Sequence, residues 1–203
     1  TILTSPDGVS WTARASGTNQ DLWGVTYGAG LFVAVGSDGT IFTSPDGVIW
    51  WRASGTGAHL FGVTHGAGLF VAVGWRGTIL TSPDGENWTP RVSGMGAGFY
   101  GVTYGAGLFV AVGSGGTIFT SPDGVAWTRR ASGMSAGLSG VTGVTYGAGL
   151  FVAVREGGTI LTSPDGVAWT VRASGTDARL SGVTHGAGLF VAVGSRGTIL
   201  TSP

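Results

Sequence analysis

Cysteine and lysine are both missing from this 203-residue sequence. Without cysteine no disulfide framework forms, and the redox compartment stays open. Arginines and acids balance at ten each, so the formal net charge is zero and no basic stripe predicts a nucleic-acid or membrane partner. Apolar runs end at about six residues, far short of the ~20 that span a bilayer. The sequence starts without Met, ends abruptly and carries no targeting segment, so we expect a soluble protein from a trimmed sequence, with its compartment unknown.

A helical period is missing as well, because no stretch of about ten residues or more repeats its apolar positions at helical spacing. Glycine is abundant instead, at 41 residues, together with evenly spread Leu, Val, Phe and Trp. Disordered low-complexity chains lack such core-forming residues, so we expect a single folded domain over residues 1–203.

One stretch recurs through the chain. It reads Thr-Ile-Leu-Thr-Ser-Pro-Asp-Gly-Val-Ser-Trp and occupies Thr1 to Trp11. It returns with small changes at later starting points, the last of them shortened: Thr40, Thr78, Thr117, Thr159 and Thr198. A period of about 40 residues is typical of a repeat architecture, and near-identical copies indicate recently amplified tandem repeats.

Each repeat predicts four short strands. In the first complete unit they are Leu22 to Tyr27, Leu31 to Val35, Thr40 to Ser44 and Ile49 to Ser54. The turns between them are rich in Gly, Pro and Asp. The second strand is apolar at every position, which predicts a sheet covered on both faces. Repeated four-stranded sheets with both faces covered indicate a β-propeller.

The position of the strands predicts an all-β fold, a five-bladed β-propeller of four-stranded antiparallel blades whose ring is closed by strands from both termini. We expect a half blade at 1–18, full blades at 19–56, 57–95, 96–136 and 137–175, and the closing strands with one surplus strand at 176–203. Two alternatives stay open, a fragment of a longer array and pairing of the surplus strand with another chain. The sequence does not decide which terminal copy of Thr-Ile-Leu-Thr-Ser-Pro closes the ring.

The hairpin between the third and fourth strands carries a resemblance. Ser5-Pro6-Asp7-Gly8-Val9-Ser10-Trp11 resembles the Asp-box of bacterial neuraminidase repeats, Ser-x-Asp-x-Gly-x-Thr-Trp, with one residue fewer between Asp and Trp. It is also similar to the hairpin of propellers related to the photosystem II assembly and stability factor. The resemblance implies a propeller fold. It implies little about activity, because this hairpin lies away from the catalytic centre in the enzymes that carry it.

The hairpin residues have a direct structural interpretation. An Asp in a turn accepts hydrogen bonds from backbone N–H groups two residues on, and a following Trp offers a large apolar surface between sheets. One acid per separated turn makes no cation cluster, so we expect no metal and no cofactor. The structural repeat residues are Asp7, Asp46, Asp84, Asp123, Asp165, Trp11, Trp50, Trp88, Trp127 and Trp169.

Chain direction predicts two different faces. The turns between strands one and two and between strands three and four lie on one side and are nearly identical in all repeats; we call this side the uniform face. The other turns and the links between blades form the varied face, where most differences occur. Aromatic and Arg residues are frequent hot spots of interfaces. The candidate binding residues there are Trp23, Asp38, His59, Trp75, Arg76, Tyr100, Arg155, Glu156, Arg179 and Arg196.

Three functions fit this arrangement. We expect a binding or scaffold module that recognises a protein or peptide on the varied face. The alternatives are a multivalent glycan-binding lectin with up to five similar sites on the uniform face, and an amplified scaffold with no specific ligand. We interpret the chain as a non-enzyme, because its two glutamates, Glu86 and Glu156, lie in different repeats and no pair of acids shares a centre. A monomer is expected, with a strand-exchanged oligomer as the alternative.

Overall fold

The computed structural model describes residues 1–53, 55–133 and 140–202. Three features of the sequence interpretation lie outside the described residues. They are the end of the predicted fourth strand at Ser54, the predicted blade boundary between residues 136 and 137, and Pro203 at the end of the surplus strand.

The described residues form an all-β fold of six antiparallel sheets, in which each strand pairs with the next along the chain. The N-terminal hairpin has β1 (Ile2–Thr4) and β2 (Thr12–Arg14). Sheet I has β3 (Leu22–Gly28), β4 (Leu31–Gly36), β5 (Ile41–Ser44) and β6 (Trp51–Arg52). Sheet II has β7 (Leu60–Gly66), β8 (Leu69–Gly74), β9 (Ile79–Ser82) and β10 (Thr89–Arg91).

The second half of the chain repeats this order. Sheet III has β11 (Phe99–Gly105), β12 (Leu108–Gly113), β13 (Thr117–Ser121) and β14 (Thr128–Arg130). Sheet IV has β15 (Val141–Gly147), β16 (Leu150–Arg155), β17 (Ile160–Ser163) and β18 (Thr170–Arg172). Sheet V has β19 (Leu180–Gly186), β20 (Leu189–Gly194) and β21 (Ile199–Ser202). The helical turns are 3₁₀ turns of three residues at Ser37–Gly39, Trp75–Gly77, Ser114–Gly116 and Ser195–Gly197. In the part of the chain that the structure describes, no helix is long and apolar enough to cross a membrane.

The sheets pack face to face, and the second strands form their cores. Val33, Ala34 and Val35 in β4 are at most 3% exposed although they alternate between the two faces, which confirms the prediction of a sheet covered on both sides. The apolar clusters lie between consecutive sheets. One of them joins Val33 and Val35 of sheet I to Leu60 and Phe70 of sheet II. Burial of both faces is the reason that β4 contains no polar residue.

The first strands of neighbouring sheets approach one another closely. A β-carbon added to Gly62 in β7 would lie 3.3 Å from the Cα atom of Gly101 in β11, and one added to Gly24 would lie 3.3 Å from the Cα of Gly62. Glycine at this position therefore lets the backbones converge. The sheets are closest together along their first strands.

The fourth strand is shorter than predicted. We expected Ile49 to Ser54, but in sheet I only Trp51–Arg52 is a strand. The backbone N–H groups of Val48 and Ile49 both donate to the Asp46 carboxylate, at 2.8 and 3.1 Å. The prediction was wrong at this end because the turn holds these two residues.

The two terminal copies of the repeated stretch belong to different sheets. In the N-terminal hairpin Leu3 pairs with Ala13, and in sheet V Thr201 of β21 pairs with Val191 of β20. Because β21 already occupies the edge of β20, no strand of the N-terminal hairpin pairs with sheet V among the described residues. The five-bladed closed ring stays a prediction.

Candidate functional site

The links between sheets and the 3₁₀ turns lie together on one side of the molecule. The first residue of each of the four turns donates its backbone N–H to a carbonyl of the preceding link. These bonds are Ser37 to Asp21, Trp75 to His59, Ser114 to Gly98 and Ser195 to Arg179, at 2.8–3.0 Å. On the varied face, each of these 3₁₀ turns is therefore held to the preceding link by a backbone hydrogen bond.

Three aromatic residues enter this surface from β-bulges. Trp23 in β3, Phe61 in β7 and Tyr100 in β11 each lie where the pairing between the first and second strands shifts register. A bulge bends its strand and redirects a side chain. The ring centroids of Trp23 and Phe61 are 5.0 Å apart, and those of Phe61 and Tyr100 are 5.8 Å apart in an edge-to-face arrangement. The repeat thus places one ring on each of three adjacent first strands.

A second series of contacts continues from Trp23 to the neighbouring turn. The rings of Trp23 and His59 meet edge to face at 5.6 Å, and His59 stacks on Trp75 at 5.6 Å with an interplanar angle of 23°. The guanidinium carbon of Arg76 lies 4.9 Å from the Trp75 ring centroid, within cation–π range. We call the connected set Arg76, Trp75, His59, Trp23, Phe61 and Tyr100 the aromatic chain.

His59 joins the link of sheet II to the turn of sheet I. Its Nδ1 atom accepts the backbone N–H of Asp38 at 3.1 Å, and the Asp38 carboxylate oxygen Oδ1 is 3.8 Å away. This hydrogen bond sets the orientation of the imidazole between the two Trp rings. Asp38 therefore helps to position the aromatic chain while its own side chain stays largely exposed.

The aromatic chain is accessible. Trp23 is 44% exposed, Trp75 is 49% exposed and Tyr100 is 39% exposed. The equivalent positions in sheets IV and V carry hydroxyl groups that are turned back to the backbone. Thr142 donates to the carbonyl of Leu180 at 2.6 Å. Among the described residues, the aromatic chain thus lies on sheets I, II and III, and sheets IV and V carry hydroxyl side chains at the same repeat position.

The remaining candidate residues are charged and belong to sheets IV and V. Glu156 and Arg179 make an ion pair at 3.3 Å. Arg196 is exposed in the turn after β20, with a φ of 58°. Arg155 is only 5% exposed, at the end of β16, and offers little surface to a partner. The structure therefore brings together six of the sequence candidates, Trp23, Asp38, His59, Trp75, Arg76 and Tyr100, and places the other four apart on different sheets.

Phe61 belongs to the site but was not among the candidates. It connects Trp23 to Tyr100 and is half-buried between them. The sequence contains a signal for it, because Phe61 fills the same repeat position as those two residues. A comparison of repeat positions would have found it.

On the uniform face, each repeated Asp forms hydrogen bonds within its own turn. Asp46 accepts from Val48, from Ile49 and from the Ser44 hydroxyl, and the N–H of Gly47 donates to Ser44 Oγ at 2.8 Å. The backbone N–H of Val48 is the main cause that holds the pKa of the Asp46 carboxyl below its ordinary value of 3.8. Each following Trp donates its indole N–H to the carbonyl of the turn glycine, as Trp88 does to Gly85 at 2.8 Å.

Asp84 has one bond that the other turns lack. The side-chain amide of Asn87 donates to Asp84 Oδ2 at 2.9 Å, and this bond is the largest cause of a pKa that lies well below the ordinary range. The carboxylates of the uniform face thus accept hydrogen bonds from their own turns. In the part of the chain that the structure describes, no group of three His, Cys, Asp or Glu side chains lies close enough to hold a metal ion.

No family model and no curated protein sequence matches the chain. Solved structures do match its fold. YCF48 from Cyanidioschyzon merolae is 18% identical with a TM-score of 0.69, covering 90% of this chain and 66% of that one. A second structure, YCF48 bound to D1 peptide, has a TM-score of 0.70 and 18% identity over 92% of this chain and 64% of that chain. This chain therefore spans just under two thirds of the YCF48 chains.

Two other proteins extend the comparison. The WD40 β-propeller domain of Doa1 is 16% identical with a TM-score of 0.72, over 93% of this chain and 67% of that chain. Streptogramin B lyase is 13% identical with a TM-score of 0.83, over 95% and 69%. The matches show a β-propeller fold, as the sequence predicts. They do not test the Asp-box resemblance, which stays an expectation.

The lyase corrects one expectation. We interpreted the chain as a non-enzyme because its two glutamates lie in different repeats, and this interpretation is contradicted, because streptogramin B lyase, an enzyme, has the same fold with a TM-score of 0.83. At 13% identity the likeness shows the fold alone, and no catalytic residue is transferred.

Proposed function

We propose that the protein is a peptide-recognition module whose binding site is the aromatic chain on the varied face. The single observation that carries the proposal is the continuous contact from Arg76 to Tyr100, through six side chains contributed by three sheets. Trp, Tyr and Arg are the residues that dominate binding energy at protein interfaces. Rigid rings supply contact area at a low cost in conformational entropy.

The chemistry of the site favours an extended segment with apolar side chains and one acidic group. The rings offer a long apolar surface along the first strands. At one end the guanidinium of Arg76 is exposed, and among the described residues no carboxylate lies within ion-pair distance of it. A carboxylate of the ligand fits this position. YCF48, which shares the fold at 18% identity, has been solved bound to a peptide, so the architecture is compatible with such a ligand.

We also propose that the sheets complete a ring of five blades with the boundaries predicted from the repeats. The outward faces of the first and last sheets support this. Val25 in β3 is 65% exposed and Ile199 in β21 is 68% exposed, whereas Val63, at the position of Val25 in sheet II, is 8% exposed. A ring would cover both faces and remove the open edges.

A random peptide display library tests the peptide proposal, with the selected peptide titrated by calorimetry. We expect one peptide per chain and a loss of affinity of at least ~10-fold in the double variant Trp75→Ala/Arg76→Ala, because both side chains contact the ligand. Trp51→Ala is the matched control, since Trp51 is 53% exposed on the fourth strand of sheet I, outside the aromatic chain.

The alternatives predict different results. Saturation of a glycan at about five equal sites per chain, unaffected by the double variant, would favour the lectin. Equal affinity of the double variant and the wild type for the selected peptide would refute the proposed site. A chain that selects no peptide and no glycan would agree with the scaffold alternative.

A further inference from the structure

Each first strand ends in a glycine, and in four of the five an aromatic ring of the next sheet covers this glycine. A β-carbon added to the glycine would lie 2.1 or 2.2 Å from a ring carbon in four pairs: Gly28 with His65, Gly66 with Tyr104, Gly105 with Tyr146, and Gly147 with His185. One glycine and one ring are left over. A β-carbon added to Gly186 in β19 meets no atom within 4 Å, and Tyr27 in β3 is 59% exposed. The two ends of the chain thus carry the two halves of a fifth pair.

The Asp-Gly turns show a second series. A β-carbon added to the turn glycine would lie 2.7–2.9 Å from a leucine methyl of the preceding sheet: Gly85 on Leu31, Gly124 on Leu69, and Gly166 on Leu108. The Trp of each turn packs in the same interface, as Trp88 does between sheets I and II. The next leucine in the series is Leu150 of sheet IV. Two turns lack this leucine contact. The nearest side chains to a β-carbon on Gly47 of sheet I are Thr4 and Phe32, at 3.4–3.8 Å. In the turn of the N-terminal hairpin, Gly8 has no neighbour within 4 Å and Trp11 is 60% exposed.

A cavity lies where the missing turn would pack. It has a volume of about 460 Å³ between sheets IV and V, and its lining includes Leu150, Val152, Phe190 and Leu200. In the equivalent interface between sheets III and IV, Trp169 is 9% exposed and fills the corresponding space. The cavity is therefore an apolar site for one Trp side chain.

A second cavity lies at the other end of the molecule. It has a volume of about 410 Å³ between the N-terminal hairpin and sheet I, and its lining includes Leu3, Val25 and Phe32. In the complete sheets, the first and second strands of the preceding sheet occupy this place. Sheet V has such strands, β19 and β20. With the N-terminal hairpin paired to sheet V and sheet V packed against sheet I, both cavities would be filled.

We propose that the N-terminal hairpin docks on sheet V of the same chain as its third and fourth strands. Trp11 enters the cavity beside Leu150, and the ring of Tyr27 covers Gly186. Pairing in the register of the other sheets places Thr4 opposite Val191, the position that Thr201 of β21 now occupies. The proposal rests on the five-bladed ring proposed above and assigns the closing position to the N-terminal copy.

The hairpin has an advantage over β21 for the same edge. Both copies supply identical backbone partners for β20, because residues 1–6 and 198–203 are identical. Only the hairpin also brings a fourth strand, β2, and the Trp11 side chain. β21 is mostly exposed in its present position and loses little burial when it is displaced.

Disulfide trapping tests whether the N-terminal hairpin pairs with β20. Because the chain has no native cysteine, every disulfide comes from the introduced pair. Three double variants are equilibrated in a glutathione buffer: Thr4→Cys/Val191→Cys for the hairpin, Thr201→Cys/Val191→Cys for β21, and Val33→Cys/Thr43→Cys as the matched control within sheet I. We expect the hairpin pair to form an intramolecular disulfide at least ~10-fold more stable than the β21 pair, with monomeric mass.

The other outcomes overturn the proposal in distinguishable ways. A more stable disulfide in the β21 pair would assign the edge to the C-terminal copy. A hairpin disulfide found only between two chains would assign the site to a second copy. No disulfide in either pair, with the control formed, would leave sheet V without this partner and refute docking. Titration of the selected peptide with the same variants reads the binding function separately, since none of these positions belongs to the aromatic chain.

Discussion

The imidazole of His65 covers the α-carbon of Gly28 so closely that a β-carbon there would lie 2.1 Å from its Cγ atom. Gly28→Ala is therefore expected to destabilise the fold by about 1–3 kcal/mol through overpacking. Chemical denaturation of the variant measures this loss. In the double variant Gly28→Ala/His65→Ala most of the added loss should disappear, because the clashing ring is gone. If the losses of the two single variants add in the double variant, Gly28 is required for a reason other than its contact with the His65 ring.

Gly186 occupies the same repeat position in the last sheet but has no ring above it. Gly186→Leu should lower the melting temperature about as much as Gly147→Leu if Tyr27 covers Gly186 in the ring. Differential scanning calorimetry of both variants checks this. A neutral Gly186→Leu beside a destabilising Gly147→Leu would mean that the face of sheet V stays open.

Arg76 adopts a φ of 54°, a left-handed conformation that is strained for a residue with a β-carbon. Sheet III has Gly115 at this position. Arg76→Gly is expected to stabilise the fold by about 1 kcal/mol, while the affinity for the selected peptide falls. Unfolding and calorimetric titration of one variant measure the two effects. Unchanged affinity would remove Arg76 from the binding site.

Asn87 distinguishes the turn of sheet II from the others. Its amide bond to Asp84 is the largest cause of the low pKa of that carboxyl. Asn87→Ala, which reproduces the Ala126 turn of sheet III, should raise the pKa of Asp84, and titration of the carboxyl carbon by NMR follows the change. A pKa of Asp84 that does not move would show that the backbone N–H groups and the Ser82 hydroxyl set it.

Acid should weaken the fold through these turns. The pKa of Asp123 in the folded chain is below its ordinary value of 3.8, mainly because of the backbone N–H of Ala126. The stabilising contribution is therefore complete above pH 3.8 and is lost as the pH falls toward the folded-state value. Chemical denaturation at several pH values, from neutral to strongly acidic, measures the slope of the free energy of unfolding against pH. Asp123→Asn should make it shallower, and an unchanged slope would exclude this carboxyl as a cause.

The local sequence determined much of the architecture. Apolar residues at every position of the second strand require cover on both faces, and the regular turn residues mark where each strand ends. These signals act over a few neighbouring residues, so the strands, their antiparallel order and the propeller fold could be predicted. The aromatic types at positions 23, 75 and 100 also marked much of the site.

The features that depend on contacts between repeats could not be predicted, because they arise from the packing of one sheet on another. The aromatic chain exists because bulges in three strands turn Trp23, Phe61 and Tyr100 toward each other, and because a hydrogen bond from Asp38 fixes His59 between two rings. The fourth strand is short because a carboxylate holds the residues that would extend it. The two copies of Thr-Ile-Leu-Thr-Ser-Pro are identical, so no local signal separates them. The sheet that each copy joins depends on which strand edges and apolar faces the other sheets leave uncovered, and the packing of the sheets determines this.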